Sequence, residues 1–205
     1  MEKLLKTGKT KAIGISNFSR REVETILEKG SVVPAAHQIE CHPWLQQKEF
    51  TEWQKSQGIL IQHYSPFGNQ NEIYDCGKKL SKLMVRINSP LTHSIHDVWL
   101  FVGRVEETTK LTETKQDDPT LVEIGKKYNK TGAHVALAWG ISQGHTVLPK
   151  SKTPSRIQSN LEGDFQLDKD DLSKIAKIDK KLRFNDASEG FGYNFFADLD
   201  GKVKK

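Results

Sequence analysis

Ile59-Leu60-Ile61-Gln62-His63-Tyr64-Ser65-Pro66 is the stretch on which the reading of the fold turns. It is a nearly unbroken apolar run that ends in polar residues and is closed by Pro66. Such a run fits a strand covered on both faces, as in parallel sheets flanked by helices. Three other segments have the same form: Ala12-Ile13-Gly14-Ile15-Ser16-Asn17, Ala36-His37-Gln38-Ile39-Glu40 and Thr146-Val147-Leu148-Pro149-Lys150-Ser151. Each places polar residues at the end of an apolar stretch. In proteins built from βα repeats, the carboxyl ends of the strands are where ligands bind.

Helical patterns fill the spaces between these segments. Residues 2–7 read as helical turns closed by Gly8. Ser19 followed by Glu22 is a capping box, and Val23, Ile26 and Leu27 form one face of a helix ended by Gly30. Residues 48–57 place Phe50 and Trp53 on one side, with Gly58 at the end. Asp118-Pro119 opens a helix with Leu121, Ile124 and Tyr128 on a face. Residues 133–142 are apolar nearly all round, the mark of a buried helix. Thr153-Pro154 opens another, and Asp168 caps one carrying Leu172, Ile175, Ile178 and Leu182. Strand-helix alternation with short Gly-closed connections predicts parallel βα units.

The 205 residues suffice for one domain with a real core. A hydrophobic content of 36% with 28% charged residues fits a soluble globular chain, and no run approaches the roughly 18 apolar residues of a membrane span. Met1-Glu2-Lys3 leads into helix-like sequence without a signal-peptide pattern. Two cysteines, Cys41 and Cys76, argue for reduced thiols and a cytoplasmic location. A net charge of +5 is modest and interspersed with acids, which argues against nucleic-acid binding.

Residues 85–116 fit no element. They lack a sustained period, and a long structureless insert within a domain is unusual. His93, His96 and Asp97 have helical spacing for a metal, but Ser89-Pro90 argues against a regular helix there, so no metal site is expected. Val85-Arg86 is compatible with codons beginning GT, Leu111-Thr112 with a branch sequence, and Gln116 with CAG. The segment therefore reads as an irregular insert with the signals of an intron retained in frame, which transcript sequencing tests.

Lys150-Ser151-Lys152-Thr153-Pro154-Ser155-Arg156 is the sharpest local signal. Free N–H groups at a helix start, three cations and the Ser151 and Thr153 hydroxyls fit a phosphate, and Arg156 offers a planar two-pronged contact. A well-capped helix beside solvated lysines is the other reading. Ser16, Asn17 and Gln38, taken to end two successive strands, can hydrogen-bond a carboxamide, or can simply serve turns. Tyr64 can stack on a planar ring or be a rim tyrosine. His37, His42 and His63 lie in or beside apolar stretches without an evident partner, and Cys41 and His42, adjacent on a strand, face opposite ways.

Taken together, these segments resemble the aldo-keto reductases over nearly the whole chain outside 85–116. Gly8-Lys9-Thr10-Lys11-Ala12-Ile13-Gly14-Ile15-Ser16-Asn17-Phe18 is similar to that family's signature at its fifth strand. Gln38-Ile39-Glu40-Cys41-His42-Pro43 is similar to its sixth-strand motif and Tyr64-Ser65-Pro66-Phe67-Gly68 to its seventh. Leu148-Pro149-Lys150-Ser151, with Arg156 and Asn160, resembles its eighth-strand cofactor motif. The look is closest to fungal glycerol dehydrogenases and sugar-aldehyde reductases.

The resemblance implies an α/β fold, a partial (β/α)8 TIM barrel comprising strands 5–8 with their helices. It implies NADP as cofactor and reduction of a small aldehyde or ketone to an alcohol. Ser16, Asn17 and Gln38 would hold the nicotinamide carboxamide and Tyr64 would stack on the ring. Ser65, Phe67 and Asn69 would line the pyrophosphate side. Lys150, Ser151, Thr153 and Arg156 would grip the adenosine 2′-phosphate, with Asn160 near the adenine. The tail with Phe191, Tyr193 and Phe195 would cover the substrate pocket. The family's proton-donating tyrosine and its aspartate, lysine and histidine partners come from the first four strands, and no residue here matches them. The expectation is thus the C-terminal half of a reductase domain, inactive alone, and a monomer when the domain is whole. The alternative is a non-enzymatic NADP-binding or interaction module formed by a half-barrel.

Overall fold

A computed structural model describes residues 1–68 and 118–186, and beyond them Ser188, Gly192, Tyr193, Phe196, Leu199 and the backbone of Lys202 and Val203. The insert at 85–116, Cys76, Asn69, Phe191 and Phe195 lie outside the described residues.

Four short strands are laid down in chain order, each beside the one before it. They are β1 (Ile15–Ser16), β2 (Ala36–Glu40), β3 (Leu60–Tyr64) and β4 (Thr146–Leu148), and every pairing is parallel. Parallel neighbours need a crossover. α2 (Arg20–Lys29) supplies the first and α3 (Lys48–Ser56) the second. Between β3 and β4 lie α4 (Pro119–Lys127) and α5 (Gly132–Ser142). α1 (Glu2–Lys6) precedes the sheet, and α6 (Pro154–Asn160), a 3₁₀ turn (Leu161–Gly163) and α7 (Lys169–Ala176) follow it. The α/β class with a parallel sheet is as expected from sequence.

Local chemistry explains the helix starts. Ser19 and Glu22 form a reciprocal capping box at α2. The Asp118 side chain accepts from Thr120 N and precedes Pro119 at the start of α4, while Asp168 accepts from Asp171 N at α7. The box at α5 was not foreseen: Thr131 pairs with His134, which takes the place of the usual Glu or Gln.

The core lies between the sheet and its helices. Ile39 and Ile61 pack with Phe50 of α3, Leu121 and Ile124 of α4, Val135, Ala138 and Trp139 of α5, and Ile175 of α7. α5 is buried along most of its length, as its composition predicts.

Three expectations need correction. First, β3 is not covered on both faces by the described residues. Ile61 and His63 are buried toward the helices, but Leu60 is 45% exposed and Gln62 and Tyr64 are half-buried. Period-two alternation therefore holds, with Gln62 and Tyr64 as the other face. Second, the strand read at 12–16 pairs only over Ile15–Ser16. Third, the last helix stops at Ala176. Leu182 belongs instead to β5 (Leu182–Arg183), which pairs in parallel with β6 (Lys202–Val203), a strand the sequence did not suggest.

Candidate functional site

Register brings the polar side chains into rows. Ser16 lies opposite Gln38, Gln38 opposite Gln62 and Gln62 opposite Thr146, while Tyr64 lies opposite Glu40 and Leu148. Parallel partners share a face, so Ser16, Gln38 and Gln62 form one line across three strands. Gln38 sits in the middle of β2, not at its end as read from sequence, because the strand runs on through Ile39 to Glu40.

The turn after β1 is tied to β2 at several points. Ser16 Oγ donates to the Gln38 carbonyl at 3.0 Å, and Asn17 N donates to the same oxygen at 3.0 Å. Asn17 has a left-handed backbone, φ 59°, a conformation asparagine tolerates better than most residues. Tyr64 Oη donates to Asn17 Oδ1 at 2.9 Å, so the ends of β1 and β3 meet across β2. Gln38 Nε2 donates to Gln62 Oε1 at 3.3 Å.

Past β3 the chain turns at Ser65, φ 51°, whose Oγ accepts from Asn185 Nδ2 at 3.2 Å. Phe67 is half-buried, packs against the core and lines a small cavity with His42, Pro43 and Trp44. Past β4, Lys150, Lys152 and Arg156 are exposed, and no carboxylate among the described residues pairs with them. Ser151 Oγ accepts from Thr153 N at 3.1 Å, ordering the start of α6 at Thr153-Pro154. Asn160 is the last residue of α6 and is half-buried. The amide-rich turn after β1 and the cationic turn after β4 thus stand at the same end of the sheet, three strand spacings or about 14 Å apart.

A buried carboxylate anchors this end, and the sequence reading passed over it. Glu40 is inaccessible to solvent. Its Oε1 accepts from Phe184 N and its Oε2 from Asn185 N, both at 2.8 Å, and His42 Nε2 lies 3.2 Å from Oε1. Burial alone would raise its pKa, but His42 and the two amides outweigh burial and hold it below the ordinary carboxylate value. An acid inside the apolar Ile39-Glu40-Cys41 run was the available signal, since a buried charge must find partners.

The three histidines weighed from sequence are buried and all have partners. His37 contacts Gln54 and Phe18 N, His42 contacts Glu40, and His63 Nε2 lies 2.7 Å from His145 Nδ1. Burial pushes the His37 and His63 pKa values down, and that of His145 to about 4. Cys41 is buried and unbridged, and burial pushes its thiol well up, away from the thiolate a nucleophile needs. Among the described residues no group of three His, Cys, Asp or Glu side chains is placed to hold a metal. His93, His96 and Asp97 lie outside the described residues. No described helix is long and apolar enough to cross a membrane.

Residues 1–180 match the model of the Aldo/keto reductase family. An uncharacterized oxidoreductase of Schizosaccharomyces pombe is 38% identical over 92% of this chain and 48% of its own length. An NADPH-dependent D-xylose reductase of Meyerozyma guilliermondii is 37% identical over 90% of the chain and 50% of its own. A glycerol 2-dehydrogenase (NADP(+)) of Hypocrea jecorina is 32% identical over 95% of the chain and 50% of its own. The chain spans about half the length of these curated relatives.

Proposed function

Because the chain belongs to the aldo/keto reductase family, we propose that it carries the NADP cradle of an oxidoreductase that reduces an aldehyde or ketone to an alcohol. Its four strands then serve as strands 5–8 of a (β/α)8 barrel. The order β1-β2-β3-β4 supports this, since each strand is added on the same side without the reversal that marks a doubly wound sheet.

One observation carries the cofactor reading. Adjacent parallel strands present, at one end, side-chain amides, then a tyrosine, then exposed cations without carboxylate partners among the described residues. That sequence of groups suits a carboxamide, a flat ring and a phosphate monoester. NADPH supplies the hydride when bound. Ser16, Asn17 and Gln38 hold its carboxamide, and with Gln38 Nε2 given to Gln62, the Gln38 oxygen is left to accept from the amide. Tyr64 lies against the ring, and Ser65 and Phe67, with Asn69 outside the described residues, line the pyrophosphate. Lys150, Ser151, Thr153 and Arg156 take the 2′-phosphate and Asn160 the adenine. The extra charge favours NADP over NAD.

No described residue is assigned as proton donor to the developing alkoxide, so the chain by itself binds cofactor without turnover. The reading includes a cytoplasmic location, in keeping with the unbridged Cys41, and a monomeric whole domain. Titration of NADPH fluorescence tests it. NADPH binds more tightly than NADH, and replacing Lys150 and Arg156 by Ala weakens NADPH roughly ten- to a hundredfold, as expected for lost charge-assisted hydrogen bonds. Absence of NADPH binding sinks the cradle. A clear rate with glyceraldehyde and NADPH sinks the inactivity.

A second reading, a non-enzymatic NADP-binding module of paired half-barrels, draws on the outer edges of β1 and β4, which pair with no strand among the described residues. A discrete cofactor-binding dimer on gel filtration supports it, and aggregation counts against it.

A further inference from the structure

We propose that His37 is a positioning residue for the nicotinamide end of this site, a strut from α3 through β2 that holds the Ser16-Asn17 turn in its binding shape. The proposal rests on the cofactor reading for its consequence, but the strut stands on geometry alone.

His37 is fully buried, on the helix-facing side of β2. Phe18 N donates to its Nε2 at 3.0 Å. A nitrogen that accepts has no proton, so the neutral ring carries its proton on Nδ1. Nδ1 meets Gln54 Oε1, and the amide of Gln54 must present its oxygen, because an imidazole cannot accept at both nitrogens. Gln54 is itself fully buried, in α3. The rings of Phe18 and Phe50 stand edge-on to the imidazole at 6.4 and 5.9 Å and limit its rotation.

The contact falls where the turn needs it. Asn17 is left-handed, and the two successive amides at and after it are both held by β2: Asn17 N by the Gln38 carbonyl and Phe18 N by His37. Gln38 fixes the turn through its backbone, which any residue could supply. Only the side chain at position 37 supplies the second hold. Without it Phe18 N loses its acceptor, and the turn is left with the holds on Ser16 and Asn17 alone.

The strut works in the neutral ring alone, since a second ring proton would point at the Phe18 N–H. Groups facing the ring divide in their effect. Burial disfavours the charged form, while Gln54 of α3 and the carboxylate of Glu22 in α2 favour it. Glu22 is in turn occupied by Ser19 N and the Tyr193 hydroxyl.

The test uses the full chain with two ligands: NADP, and the 2′-phosphate of ADP-ribose, which has the adenine end and no nicotinamide. His37→Phe keeps bulk and removes the acceptor, and His37→Gln restores a carbonyl acceptor without charge. We expect His37→Phe to weaken NADP about tenfold and leave the truncated ligand unchanged, with His37→Gln recovering part of the loss. Equal loss of both ligands, or no loss of either, overturns the proposal. Amide exchange at Phe18 gives a second readout that needs no cofactor, and His37→Phe should speed it at least tenfold. An unchanged rate overturns the strut. If the parent chain binds neither ligand, the cofactor reading has failed, and the nicotinamide consequence with it, while Phe18 exchange still decides the strut.

Discussion

Glu40 shows how one side chain holds two distant parts of the chain together. It carries a charge in a site closed to solvent, and its oxygens are matched by Phe184 N, Asn185 N and His42. Glu40→Gln would turn an NH₂ toward an amide donor, leaving a buried clash of donors that costs about 1–3 kcal/mol. Urea unfolding should show that loss, and limited proteolysis should cut earlier in the segment after Arg183. Protons act in the same sense. The folded pKa of Glu40 lies below its ordinary 4.5, so its contribution is intact above that value and lost as pH falls through the folded pKa. His63 and His145 act at higher pH. Unfolded, they titrate near 6.5, while burial holds both lower in the fold, His145 at about 4. Between those values the unfolded chain binds more protons, so stability falls as pH drops from 6.5 toward 4. Calorimetry should find the midpoint temperature declining across that window, and a flat profile would contradict it.

Among the elements, helix starts were legible from sequence and strand extents were not. Ser19-Glu22, Asp118-Pro119 and Asp168 announce their helices because capping is a contact between residues three apart or fewer. Strand faces depend on partners far along the chain. β3 looks apolar throughout, yet only Ile61 and His63 meet the helices. Gln38 reads as a strand end from sequence, and the partners of the buried Glu40, which are Phe184 N, Asn185 N and His42, show how the strand runs on past it. Of the candidate site, the polar ends of β1, β3 and β4 were legible, whereas the place of Gln38 within β2 and the holds of His37 and Glu40 were not, since each depends on segments the sequence keeps apart. Packing of α5 on the sheet offers a test at this scale. A Cβ on Gly140 would stand 2.5 Å from Val147 Cγ1 and 3.1 Å from His63 Nδ1. Gly140→Ala should therefore destabilise by about 1–3 kcal/mol through overpacking, despite its better helix propensity. A stabilised variant in urea would show that α5 stands farther from the strands.

For the whole molecule, the sheet has two unlike faces. One is sealed by helices, and the other bears Gln38, Gln62 and Tyr64 half-buried with Leu60 45% exposed. Apolar side chains on such a face invite association. Leu60→Lys should leave stability within about 0.5 kcal/mol, as for an exposed site, and reduce self-association in light scattering. A loss above about 2 kcal/mol would mean that Leu60 is covered in solution. The chain order of the strands was legible because each βα unit is punctuated locally. The β5–β6 pair was not, because two-residue strands carry no period.

The bond between Phe184 and Glu40 closes a separation of 144 residues. During synthesis β2, β3 and β4 can each dock on a neighbour already made, but Glu40 stays hydrated until Phe184 and Asn185 have left the ribosome. A nascent chain arrested short of Phe184 should thus behave as an expanded, aggregation-prone intermediate, and the emergence of Phe184 and Asn185 should be the event that locks it.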